Sequence, residues 1–422
     1  SQSHHRSGYH ENLPGCLVRK TTMSFFLQEK VDWKKHNEEV AFVWEAYHQG
    51  QPYRVPITVS GSIRNLFANP VLNTTGYTFQ DFFTNPEAQI TCQLVYQKWV
   101  RYNLLCDQMM GPPENGWQLS VDFQNSYEAG WMGCPLRFWG DQVPDTEPIL
   151  AEKKEKLYEL TAPDPLRGNL LGQAMEFFEY MHHRCAGIEF EGKPVLPPLT
   201  IPGEGTDGPF DLAYKLRGAA NLCLDMLTDE TYFHDLMEFV TTNIIRRMKA
   251  IRQWRWERNP ESPDAGQFKR SGFGFADDAV ALLSLNQYRE FVFPYHKRLV
   301  EEFSDGGPIS IHLCGNASHL FLFLKDNLRV MDFDTGFPID FGRLRKTLGP
   351  EVQIRGGPTV MLLKNGSPDE IWQEVEHICQ SGIMEGGRFI LREANNLAPC
   401  TPIENIVAMY QAGKKFGRYQ RY

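Results

Sequence analysis

No stretch of the chain stays apolar for the roughly 20 residues that a membrane-spanning helix needs. The N-terminus has no apolar h-region, so no secretory signal is expected. A basic surplus is also missing. Lys and Arg number 43 against 52 Asp and Glu, a formal net charge of −9, and this excludes nucleic acid and anionic membrane as main partners, since both attract basic surfaces. There is no paired-cysteine framework. The nine cysteines are odd in number and scattered, so free thiols in a reducing cytoplasm are expected. Nor does any Gly-x-Gly-x-x-Gly turn open a helix after the first strand, which tells against an open dinucleotide-binding sheet.

What is present is an ordinary globular composition, 42% hydrophobic and 23% charged over 422 residues, long enough for one large α/β barrel with insertions. Residues 1–24 are polar and without periodicity, and are expected to be a flexible leader or an appended remnant. His4, His5 and His10 there have little weight as metal ligands. Helices are expected over 26–49, 87–110 and 229–258, with two more within 150–183. Early strands are expected at 54–59, 118–123 and 194–201.

From Ser271 onward the pattern turns regular. Strands at 272–275, 309–314, 329–334, 352–355 and 388–391 are each followed by a helical stretch. Consecutive βα units imply parallel strands joined by right-handed crossovers. With the three earlier strands the count reaches the eight of a (β/α)8 TIM barrel, preceded by an N-terminal helical extension and spanning 25–422.

Chemistry concentrates at Ile309–Asn316. The alternation of Ile309, Ile311 and Leu313 with Ser310, His312 and Cys314 puts His312 and Cys314 on one face of a strand. Gly315-Asn316 ends that strand in a loop. An imidazole and a thiol so placed suit Zn2+, although a lone His-x-Cys is more often a buried pair with no ion. Cys400, in a second strand-to-helix loop, would open onto the same mouth of a barrel and supply a third ligand. Asp332 and Asp334 share a face at the end of the next strand, and Asp334 is placed as the fourth.

Asp277 and Asp278 follow the preceding strand and face the same mouth as candidate catalytic acids, with helix capping the equal alternative. Arg64 is a candidate for an anionic substrate group. Gly356 and Gly357 would let a ligand approach the backbone, or simply form a turn. His182, His183 and Cys185 lack a strand-end context and are taken as structural or surface residues.

These segments resemble the uroporphyrinogen decarboxylase-like superfamily, on the side of its zinc-dependent methylcobamide:coenzyme M methyltransferases. The resemblance is carried by Gly208-Pro209-Phe210 with Leu216-Arg217-Gly218, by Asp277-Asp278 through Pro294-Tyr295, and by His312-Leu313-Cys314-Gly315-Asn316. It continues in Arg355-Gly356-Gly357-Pro358 and in Gly386–Leu391 with Cys400–Ile406. It implies a zinc-dependent methyltransferase that moves a methyl group between a corrinoid (methylcobamide) on a partner protein and a small thiol or methylated substrate. Two alternatives stand beside it: a uroporphyrinogen-type decarboxylase, or a barrel that binds a corrinoid or tetrapyrrole without catalysis. Against the decarboxylase, Tyr53–Arg64 lacks the arginine-glutamine-glycine run (RQAGR-like) that binds propionates in those enzymes.

Overall fold

The structure is a computed structural model that describes residues 24–140 and 142–420. The expectations for the leader and for its histidines lie outside the described residues.

Six strands form one parallel ladder. They are β1 (Ile57–Thr58), β4 (Gly274–Ala276), β5 (Ile309–Leu313), β6 (Val330–Thr335), β7 (Gln353–Gly356) and β8 (Phe389–Arg392). The ladder order is β1-β8-β7-β6-β5-β4. The remaining arc is less regular. β2 (Trp117–Gln118) pairs in parallel with β3 (Lys193–Leu196) through Trp117↔Val195. The segment beyond β3 meets β4 where the Ala276 N–H donates to the Thr206 carbonyl at 3.4 Å. The result is an α/β TIM barrel with N-terminal helices, its wall a strict ladder on one side and loop-rich on the other.

The alternation expected of β5 is present. Ile309, Ile311 and Leu313 are buried against the outer helices, while Ser310 and His312 face the lumen and keep some exposure. Register places Ala276, His312, Asp334 and Arg355 side by side across four strands.

Outside the ladder lie α1 (Trp33–His48), α2 (Pro86–Asn103), α3 (Asn169–Arg184), α4 (Pro209–Arg217), α5 (Glu230–Arg258), α6 (Phe293–Phe303), α7 (Phe321–Leu328), α8 (Phe341–Leu348), α9 (Pro368–Gln380) and α10 (Ile403–Phe416). α1 starts later than the periodicity suggests, because Asp32 caps it by accepting the Lys35 N–H. Only one α-helix forms in 150–183; Lys154–Glu159 closes as a 3-10 turn instead.

α5 buries Phe233, Leu236, Met237, Val240, Ile244, Met248 and Ile251, a 3-and-4 spacing that makes one continuous apolar stripe. From that stripe Arg247 reaches inward. It pairs with Glu128 at 2.7 Å and donates to the Gly205 carbonyl at 2.7 Å. Glu128 in turn accepts from the Asp207 N–H and the Thr206 hydroxyl, both at 2.8 Å. A buried arginine and carboxylate thus hold the 203–208 loop at the mouth of the barrel.

Candidate metal centre at the barrel mouth

Three side chains converge at the C-terminal ends of β4 and β5. The Asp278 carboxylate, the His312 imidazole and the Cys314 sulfur each offer an atom within 4.8 Å of the others. Their placement follows from the strand ends. Asp278 starts the 3-10 turn after β4, and its Oδ1 accepts the Cys314 backbone N–H at 2.8 Å. That bond ties the two loops together. The same oxygen lies 3.8 Å from His312 Nε2.

Asp334 takes the other side of the imidazole. His312 Nδ1 donates to Asp334 Oδ2 at 2.8 Å, so Nε2 is the nitrogen presented to Asp278 and Cys314. Arg392, from the end of β8, holds Asp334 through Nη1 at 3.0 and 2.9 Å to its two oxygens. Arg392 also donates to Glu393 Oε1 at 3.2 Å and to the Asn395 carbonyl at 2.8 Å.

Burial works to lower the His312 pKa, but the Asp334 hydrogen bond and charge outweigh it and leave the ring above its ordinary value. Burial likewise raises Asp334, while His312 and Arg392 bring it below the usual carboxylate range. Burial, reinforced by Asp278, pushes the Cys314 thiol up to about 12. A cation held among these groups would reverse that balance, since a coordinating thiol is deprotonated outright.

Of the residues expected to hold an ion, His312 and Cys314 are in this group. Asp334 and Cys400 are not. Asp334 is engaged by Arg392 and orients the imidazole. The Cys400 sulfur lies 3.4 Å from the Ala68 carbonyl, on a loop that leaves β8 through left-handed conformations at Asn395 and at Cys400 itself. Asp278 stands in the group instead.

The adjacent acids divide by direction. Asp278 is half-exposed, whereas Asp277 is wholly buried. Asp277 accepts the Phe210 and Asp211 N–H groups at 3.0 and 2.8 Å and the His296 ring at 2.8 Å. His296 continues to the Tyr288 hydroxyl at 2.9 Å. Asp277 therefore anchors the start of α4 and faces away from the metal-type group. Arg64 lies in a short helix with its Nε on Gln124 Oε1 at 3.0 Å; burial lowers its pKa, and Asp122 and Asp207 offset this only in part.

Gly356 and Gly357 are required by packing. A Cβ on Gly356 would stand 2.4 Å from Thr335 Oγ1, and one on Gly357 2.2 Å from the Arg392 carbonyl.

Residues that the motif reading passed over complete the mouth. Asp207 is pushed up to about 7 by burial and by Glu128, and Asp211 to about 6 by burial. Lys215 pairs with Asp211 at 3.1 Å. The Gly203–Pro209 stretch reads as a plain loop in sequence; the buried Arg247 and Glu128, remote along the chain, help to bring it to the site. His182 keeps a structural role, its Nε2 on the Pro198 carbonyl at 2.8 Å.

Comparisons with known proteins bear on the fold and the family likeness of the chain. Residues 272–416 match the family model described as uroporphyrinogen decarboxylase (URO-D). A methylated-thiol–coenzyme M methyltransferase of Methanosarcina mazei is 26% identical over 304 residues, 69% of this chain and 71% of that protein. A uroporphyrinogen decarboxylase of Prochlorococcus marinus is 27% identical over 143 residues, 33% of this chain and 40% of that protein. Among solved structures, a methyltransferase from Methanosarcina mazei superposes with a TM-score of 0.57 at 16% identity, covering 89% of this chain and 98% of that one. Residues 272–416, which carry Asp278, His312, Cys314, Asp334 and Arg392, thus match the uroporphyrinogen decarboxylase family model within a chain of this barrel fold.

Proposed function

We propose that this protein is a zinc-dependent methyltransferase that moves a methyl group between a corrinoid on a partner protein and a small thiol or methylated substrate. The observation that carries the reading is the meeting of Asp278, His312 and Cys314 within 4.8 Å at the barrel mouth. A carboxylate, an imidazole and a thiol are a donor set that fits Zn2+, and three protein ligands leave a fourth place open for a substrate atom. Similarity to a methyltransferase named for methylated thiols and coenzyme M supports the same direction.

When bound, zinc supplies Lewis acidity that lowers the pKa of a thiol and favours its thiolate. The chain supplies the rest. Asp334 fixes the His312 tautomer, and Arg392 keeps Asp334 in place against its own burial. The Asp278–Cys314 backbone bond sets the spacing of the two loops that carry ligands. A half-exposed group at a barrel mouth suits a donor presented by a docking partner. A cytoplasmic setting follows from the same reading; no helix among the described residues is long and apolar enough to cross a membrane.

The test is spectroscopic. Zinc-loaded protein is mixed with methylcobalamin and a panel of small thiols, and in the reverse direction with Co(I) cobalamin and methylthio compounds. Thiol-dependent loss of the methyl-cobalt absorbance, abolished by Cys314→Ser, is the expected result. No methyl transfer in either direction, with any thiol or methylthio compound, would overturn the proposal.

A further inference from the structure

Behind the metal-type group a single guanidinium serves two buried acids. Arg392, itself 7% exposed, holds both Asp334 oxygens with Nη1 and reaches Glu393 Oε1 with Nη2 at 3.2 Å. Glu393 follows β8 and has no exposure at all. Its Oε1 also accepts the Ser60 N–H at 2.7 Å, just beyond β1. Its Oε2 is buried and has no hydrogen-bond partner among the described residues. Two other titratable groups feel this carboxyl, Tyr96 of α2 and Cys106 beyond it. Burial raises the pKa of both, so both stay neutral around pH 7. Among the described residues, Arg392 is the charged group that Glu393 touches.

The two acids are held unequally. Asp334 has both oxygens on the guanidinium and the His312 Nδ1 proton as well. Glu393 has one longer bond to the same guanidinium and one bare oxygen. One positive charge cannot offset two buried negative ones, and a buried carboxylate oxygen without a donor is costlier than a neutral carboxyl. Glu393 therefore keeps its proton at neutral pH, in keeping with a pKa that burial pushes up to about 8. Asp334 stays charged and orients the imidazole. From Glu393 to the imidazole that faces Asp278 and Cys314, the path runs through Arg392 and Asp334 with no step longer than 3.2 Å.

We propose that Glu393 is a proton-linked positioning residue for the metal centre, giving up its proton as a cation is bound and acting through Arg392, Asp334 and His312. It rests on the zinc part of the methyl-transfer reading. In the exchange the Glu393 O–H bond breaks, its electron pair stays on the carboxylate and the proton goes to solvent. The new carboxylate draws on Arg392. Asp334 then keeps more of its basicity for the His312 Nδ1–H, and Nε2 becomes the stronger donor to a cation. Added negative charge behind the centre acts in the same sense. Linkage makes the coupling mutual. A bound cation weakens proton binding at Glu393 by the factor by which loss of that proton strengthens cation binding.

Carbon-13 NMR of the full chain, labelled at the glutamate carboxyl carbons and titrated with and without zinc, tests this. Without zinc, one glutamate is expected to titrate near pH 8, well above the rest, and that signal is expected to be absent from Glu393→Gln. With zinc its midpoint is expected to fall, proton binding weakening at least about fivefold. The amide mimics the protonated acid at every pH. In competition with a chelator, wild type and Glu393→Gln are therefore expected to bind zinc alike near pH 6 and to differ about fivefold in favour of wild type near pH 9. The wild-type titration decides the matter by itself if the variant fails to fold. Three results would overturn the coupling while the zinc reading stands: no glutamate titrating above the others, bound zinc that leaves the midpoint unmoved or raises it, or an affinity ratio that is the same at both pH values. A folded chain that takes up no zinc would overturn both.

Discussion

At the scale of single residues, neighbours in sequence do opposite things. Asp277 and Asp278 both follow β4, but only Asp278 faces His312 and Cys314. Asp277→Asn is expected to lower stability by roughly 3 kcal/mol, because it unbalances a buried, hydrogen-bonded His296 pair. Asp278→Asn should leave the melting temperature nearly unchanged and weaken zinc binding instead. Thermal unfolding and zinc titration of the two variants separate the roles. Glu393 permits a pH prediction. It is fully buried, and burial pushes its pKa up to about 8, while the unfolded chain titrates it near the ordinary carboxylate value. Between those values the folded state holds the proton that the unfolded state has lost, so this residue makes stability fall as pH rises, by at most about 1.4 kcal/mol per pH unit. Glu393→Gln should remove that slope, so its stability relative to wild type improves from pH 5 to pH 8. Parallel curves in urea denaturation at the two pH values would count against it.

At the scale of elements, the C-terminal βα units were legible because each strand and helix repeats a short period between Gly or Pro breaks. β5 and α5 match their expected spans to within a residue or two. The nearness of His312 to Cys314 was legible for the same reason, since a period of two puts both side chains on one face. Period alone does not name partners. It put Asp334 on the right face, but not on His312 Nδ1 with Arg392 behind it. It also could not place Cys400, whose loop leaves β8 through two left-handed residues. The irregular N-terminal half was less readable because its segments are fixed by distant groups, such as Arg247 on the 203–208 loop. Gly208 joins that loop to α4. Its φ is +111°, and a Cβ there would meet Asp277 Cγ at 2.3 Å and the Ala276 carbonyl at 2.4 Å. Gly208→Ala is therefore expected to destabilise by about 1–3 kcal/mol from backbone strain alone. An unchanged denaturant midpoint would show that this junction yields more easily than its packing implies.

At the scale of the whole molecule, the barrel brings residues from four strands to one mouth: Asp278 after β4, Cys314 after β5, Asp334 on β6 and Arg392 on β8. The zinc stoichiometry of the purified full chain, measured by elemental mass spectrometry after dialysis, tests the account most directly. The account expects about one zinc per chain. It expects that zinc to be lost in Cys314→Ser, weakened about 10–100-fold in affinity in Asp334→Asn, and retained in Cys400→Ser, with circular dichroism unchanged throughout. A folded wild-type chain that takes up no zinc, or one whose zinc survives Cys314→Ser, would contradict it.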